Sequence, residues 1–152
     1  MKKILWATDF SVPARDAGRQ ALECAKCSDR PIDVLTVVSA RDLPPILLDV
    51  PDPFIAEDAV HELERRLGAE HEEQVRRALE TEAAVLTGAG IEVTLHVRVG
   101  RPADEIIRLA TELGTDLIVM GSHGKRSLEE LLLGSTVENV TKHAPCPVLV
   151  VR

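Results

Sequence analysis

With 152 residues, 45% of them hydrophobic and 28% charged, the chain has the length and composition of one globular domain spanning 1–152, with enough apolar surface for a sizeable core. Its formal net charge of −7 opposes non-specific binding to nucleic acid or anionic membrane, and an aromatic content of 2% with no Tyr excludes a base-stacking platform for single strands. No apolar run approaches the roughly 20 residues that span a bilayer, three cysteines make no disulfide framework, and Met1-Lys2-Lys3 leads straight into a strand-like run, so a cytoplasmic protein is expected.

Ile4 to Thr8 reads as a first strand, with Asp9-Phe10-Ser11 as its exit. Ser11 is placed to cap a helix whose early Pro13 lacks the N–H that would go unbonded there. Ala14, Ala17, Ala21, Cys24 and Ala25 recur at helical spacing and give that helix a small-residue face. Val34 to Val38 is a second strand, and a proline-rich loop covers Leu43 to Phe54. A long charged helix is predicted from about Ala56 to Leu86, ended by Gly88-Ala89-Gly90. Ile91 to Val99 alternates apolar and polar residues as a third strand, and Pro102 opens another helix with Asp104 and Glu105 in its first turn. Leu117 to Met120 is a fourth strand. A helix from about Ser135 to Lys142 follows, and Pro147 to Val151 is the fifth strand. This βαβαβαβαβ order predicts an α/β fold with an open, parallel, five-stranded sheet covered on both faces.

The stretch from Gly121 to Ser135 carries the chemistry. Gly121-Ser122-His123-Gly124 leaves the fourth strand, and Gly134-Ser135 enters a helix nine residues after Gly124. Glycines at a strand end admit an anion close to backbone N–H groups, and a helix N-terminus adds partial positive charge, so the stretch reads as a phosphate cradle. Ser135-Thr136-Val137-Glu138 also reads as a capping box in which the Ser135 hydroxyl would accept the Glu138 N–H. Cys24-Ala25-Lys26-Cys27 lies toward the C-terminal end of the first helix, where the dipole disfavours a thiolate, so structural packing is the expected role.

These residues, with Ala7-Thr8-Asp9-Phe10-Ser11, Ile118-Val119-Met120 and the closing Pro147-Val148-Leu149-Val150-Val151, resemble the universal stress protein family in its ATP-binding subclass, whose motif is G-x2-G-x9-G-S. The resemblance covers essentially the whole chain. It implies a flavodoxin- or Rossmann-like sheet with strand order 3-2-1-4-5, and a ligand at the switch point beyond the first and fourth strands. It implies that Ala7, Thr8, Asp9 and Val38 surround the adenine and ribose. Met120, Gly121, Ser122, His123, Gly124, Lys125, Arg126, Gly134, Ser135 and Thr136 would then serve the phosphate side. The ligand implied is ATP or AMP, with Mg2+ or Mn2+ reaching the site only through the phosphates. The resemblance further implies a homodimer through the edge strand Val148, Leu149, Val150 and Val151. The expected function is a nucleotide-dependent stress-response regulator with an unknown protein partner and no catalytic residue. A slow ATPase or phosphotransferase, and a nucleotide-free dimeric interaction module, are the alternatives.

Overall fold

A computed structural model of the chain describes residues 2–39, 57–124 and 133–152, the side chains of 57–67 excepted. In chain order it contains β1 (Ile4–Ala7), α1 (Val12–Ser28), β2 (Ile32–Val38), α2 (Glu57–Gly88), β3 (Val93–Val99), α3 (Pro102–Leu113), β4 (Leu117–Gly121), α4 (Ser135–His143) and β5 (Val148–Val151). The strands form one five-stranded sheet in the order β3-β2-β1-β4-β5, every pairing parallel. The expected order and class are therefore observed. The proline-rich loop, Lys125 and Arg126 lie outside the described residues.

Side-chain alternation sorts the sheet into two faces. Ile4, Trp6, Ile32 and Val34 face α1 and α2, where they meet Ala17, Ala21, Leu22, Leu79, Ala83 and Leu86. Leu5, Ala7, Leu35, Ile118 and Met120 face the other way, onto Ala103, Ile106 and Leu109 of α3 and Val137 and Val140 of α4. The small-residue stripe of α1 lets that helix lie close to the sheet. Gly18, which interrupts the stripe, has the Trp6 ring against it, and a Cβ there would sit 2.4 Å from the indole. The buried Trp6 Nε1–H donates to the Ala14 carbonyl at 2.9 Å, so the one Trp is anchored as well as packed.

Several boundaries differ from the sequence reading by one or two residues: β2 starts at Ile32, α2 spans Glu57–Gly88, β4 ends at Gly121 and β5 starts at Val148, and a hydrogen bond marks each of three further differences. The third strand starts at Val93 instead of Ile91, because the Ile91 N–H donates to the Leu86 carbonyl and closes the end of α2, with Gly90 at φ +80°. The first strand stops at Ala7, although the Thr8 N–H still donates to Leu35 on β2. The fourth helix is capped by Gly134 and not by Ser135: the Glu138 N–H donates to the Gly134 carbonyl at 3.0 Å, which makes Ser135 the first helical residue, and no side chain caps it. Among the described residues no helix is long and apolar enough to cross a membrane.

Candidate functional site

Two neighbouring strands send their chains to opposite faces. From β1 the chain turns to α1, and from β4 it continues toward α4 on the far side. The gap between these exits is where open α/β sheets take ligands. Ala7 pairs with Met120 across the β1–β4 seam, both buried. Beside them β2 runs on past Leu35, the partner of Ala7, to the buried Val38 at its carboxyl end.

On the β1 side the exit is built from short polar hooks. The Ser11 hydroxyl accepts the Ala14 N–H at 3.4 Å and caps α1, with Pro13 in the first turn. One Asp9 oxygen accepts the Ser11 N–H at 3.0 Å in an Asx turn. The other lies against Gly124: a Cβ built on Gly124 would meet Asp9 Oδ2 at 2.6 Å. Asp9 and Gly124, remote in sequence, therefore face each other.

On the β4 side, the Gly134 N–H donates to the Ser122 carbonyl at 3.0 Å and ties the start of α4 to the strand exit. The Ser122 N–H is spent on Val151 of β5 at 2.7 Å, and its hydroxyl pairs with His123 Nδ1 at 3.0 Å. The N–H groups of His123 and Gly124, and those of Ser135, Thr136 and Val137 in the first turn of α4, have no acceptor among the described residues. The two runs lie close together, since a Cβ on Gly134 would be 3.9 Å from the Gly124 nitrogen. Such converging donors at an uncapped helix start suit an anion.

The three motif glycines have three different reasons. A Cβ on Gly121 would lie 2.7 Å from both Ala14 N and Pro13 C, so the absence of a side chain there lets the start of α1 close onto β4. At Gly124 the side chain would displace the Asp9 carboxylate. At Gly134 φ is −66° and a Cβ would make only ordinary contacts, the nearest at 3.5 Å. Nothing among the described residues demands glycine at 134.

The hydroxyl of Thr8 is turned away from this gap. It donates to Glu82 Oε2 of α2 at 2.6 Å and accepts the Phe10 N–H at 3.1 Å, so the Thr8 side chain ties the β1 exit to α2. Glu82, whose other oxygen takes Arg15 Nε at 2.9 Å, went unread in the sequence because no local pattern links it to Thr8. The buried carboxylate–imidazole pair, Asp33 with His96 at 2.7 Å, sits near the amino end of β2, roughly 16 Å along the strand from Val38 at ~3.3 Å per residue. Among the described residues no group of three His, Cys, Asp or Glu side chains is arranged for a metal ion. Cys24 packs against the α1–α2 layer and Cys146 against the α3–α4 layer, so the thiols do not assemble.

The sequence profile of the universal stress protein family matches residues 1–152. The chain belongs to that family. Universal stress protein MJ0577 of Methanocaldococcus jannaschii is 36% identical over 156 residues, covering 99% of this chain and 94% of its own. The solved structure of MJ0577 superposes with a TM-score of 0.81 at 35% identity, over 99% and 94% of the two chains. Universal stress protein UspA of Lactobacillus plantarum follows at a TM-score of 0.69 and 26% identity, over 99% and 97%. Two more distant members share the fold. One, in complex with cAMP, has a TM-score of 0.64 at 24% identity and covers 99% and 97% of the two chains. The other, from Archaeoglobus fulgidus in complex with dAMP, has a TM-score of 0.62 at 22% identity and covers 100% and 98%.

Proposed function

We propose that this universal stress protein binds an adenine nucleotide, ATP or AMP, across the β1–β4 exits and works as a nucleotide-dependent regulator in the cytoplasm. The observation that carries the reading is the meeting of two donor runs, His123–Gly124 and Ser135–Val137, through the Gly134–Ser122 hydrogen bond, with Asp9 directly opposite Gly124. The complexes of two fold relatives with cAMP and dAMP support adenine as the base.

The residues fit such a ligand with a definite polarity. Asp9 is exposed and carries a charge that repels phosphate, so it belongs at the nucleoside end, with Ala7, Val38 and Met120 as the apolar wall for the base. The phosphates belong at His123, Gly124, Gly134, Ser135 and Thr136, where the N–H groups of His123, Gly124, Ser135 and Thr136, without acceptors among the described residues, and the α4 dipole supply local positive field in a chain of net charge −7. The Ser135 hydroxyl, released from capping, is available to the same end. Lys125 and Arg126, between these segments in sequence, would add cationic contacts. A divalent cation would enter on the phosphates and supply charge neutralisation there.

Binding fits this arrangement better than turnover. The carboxylate–imidazole pair that could serve as a general base lies at the opposite end of the sheet. Strand β5 is an edge strand, half-buried along its length and paired on one side only with β4, and it is the proposed seam of a twofold dimer. The test is to heat-denature the purified protein and chromatograph the supernatant, then add ATP with Mg2+ or Mn2+ to the folded protein. Released adenine nucleotide, or ATP binding without rapid turnover, supports the reading. Fast hydrolysis would make the protein an enzyme, and the absence of both retained and added nucleotide would refute the site.

A further inference from the structure

The Thr8–Glu82 hydrogen bond has a direction that the chemistry fixes. An ionised carboxylate can only accept, so the Thr8 hydroxyl must donate to Glu82 Oε2 at 2.6 Å, and its lone pairs are then turned to the Phe10 N–H at 3.1 Å. Phe10 sits at φ +67°, a left-handed conformation that costs a non-glycine residue and persists only where its surroundings hold it. The Thr8 oxygen is one such hold, and Glu82 sets it.

Asp9 lies between these two residues. Its Oδ1 is fastened to the Ser11 N–H and its Oδ2 is presented to Gly124. Turning Phe10 out of the left-handed region would re-aim the turn that carries Asp9. Glu82 itself is well fixed. Its side chain is only 10% exposed, its helix is anchored one turn either side by Leu79 and Leu86, and its second oxygen takes Arg15, which is largely in solvent. A nearly buried carboxylate costs free energy unless every oxygen is partnered, and here the partners are the hydroxyl beneath the site and the first turn of α1.

We infer that Glu82 is a positioning residue of the nucleotide site: acting through the Thr8 hydroxyl, it holds the Thr8–Ser11 turn so that Asp9 meets the adenosine end of the ligand. This rests on the proposed adenine-nucleotide reading and adds α2 to the elements that set affinity. Glu82 touches no ligand. The effect is confined to the nucleoside end, because the phosphate donors are carried by β4 and α4.

The experiment titrates the intact protein with adenosine, with ATP and with inorganic tripolyphosphate, in parallel for the parent, Glu82→Ala, Thr8→Val, Thr8→Ser and Arg15→Ala. Hydrogen bonds to charged groups carry enough free energy that Glu82→Ala and Thr8→Val are each expected to weaken adenosine and ATP by about tenfold. Tripolyphosphate affinity stays at the parent value, Thr8→Ser restores nucleoside affinity, and Arg15→Ala shifts it by less than about twofold, because the Thr8–Glu82 bond remains and water replaces the solvent-exposed Arg15 on the other oxygen. In an Asp9→Ala background Glu82→Ala has no further effect, as expected when both act through one carboxylate. Unchanged adenosine affinity in either Thr8→Val or Glu82→Ala, measured on protein whose circular dichroism matches the parent's, would overturn the inference. So would an equal loss of tripolyphosphate binding, or an undiminished Glu82→Ala effect without Asp9. Failure of the parent to bind any adenine ligand would instead remove the functional reading on which the inference stands.

Discussion

Replacing Gly121 by alanine places a Cβ 2.7 Å from Ala14 N and Pro13 C, and 2.9 Å from Pro13 Cβ, where ordinary contact begins at 3.4 Å. Two of these atoms are main chain in the capped first turn of α1, so relief requires that turn to back away from β4 by several tenths of an ångström. Overpacking of this kind costs about 1–3 kcal/mol, and at this chain length each kcal/mol lowers Tm by about 2–4 °C, which gives a fall of about 2–12 °C. Gly124→Ala is the contrasting variant. Among the described residues its Cβ meets Asp9 alone, with Oδ2 at 2.6 Å, a side-chain end and not main chain, so the fold survives while the carboxylate is pushed aside. Thermal unfolding followed by circular dichroism should show Gly121→Ala well below the parent and Gly124→Ala within about 2 °C of it. ATP titration of Gly124→Ala should show a loss of at least about tenfold, or 1.4 kcal/mol. A Gly121→Ala protein as stable as the parent would refute the packing argument. A Gly124→Ala protein with parental affinity would refute the site.

Gly18→Ala gains about 1 kcal/mol of helix propensity but drives a Cβ to 2.4 Å from the Trp6 ring at a cost of about 1–3 kcal/mol, so the net effect is a loss of up to about 2 kcal/mol with a shifted Trp6 emission; a stabilised variant would contradict the contact. The Cys146 thiol is held above its ordinary range, first by burial and then by the charge of Asp116, both of which favour the protonated form. Its alkylation by iodoacetamide should therefore rise at higher pH than that of a small free thiol such as N-acetylcysteine, and coincident profiles would refute this. Sedimentation velocity should give a species of twice the chain mass if β5 pairs with a second copy, and a monomer at high concentration would exclude that seam.

The order of elements was legible in the sequence because each one carries its own signal. Ser11 and Pro13 announce α1, Gly88 to Gly90 end α2, and the apolar runs of β1, β2, β4 and β5 are those of a sheet covered on both faces. The candidate site was read from the glycine spacing and the resemblance built on it, and the structure brings Asp9, Gly124 and Gly134, distant in sequence, close to one another. What escaped was non-local or ambiguous. The Thr8–Glu82 bond joins residues that no periodicity relates. The capping-box pattern places the N-cap at Ser135, yet the Glu138 to Gly134 bond starts the helix one residue earlier, with glycine as the cap. Gly121 matches a ligand motif and a packing requirement at once, and a sequence cannot separate a glycine that a ligand needs from one that a helix needs.

Calorimetric titration of the nucleotide-stripped protein with ATP tests the central claim most directly. One saturable site per chain, competed by AMP and lost in Gly124→Ala, is the result expected from the facing Asp9–Gly124 pair and the uncapped start of α4. No saturable binding at ATP concentrations up to about 1 mM, where a free energy weaker than about 4 kcal/mol would be implied, would contradict it.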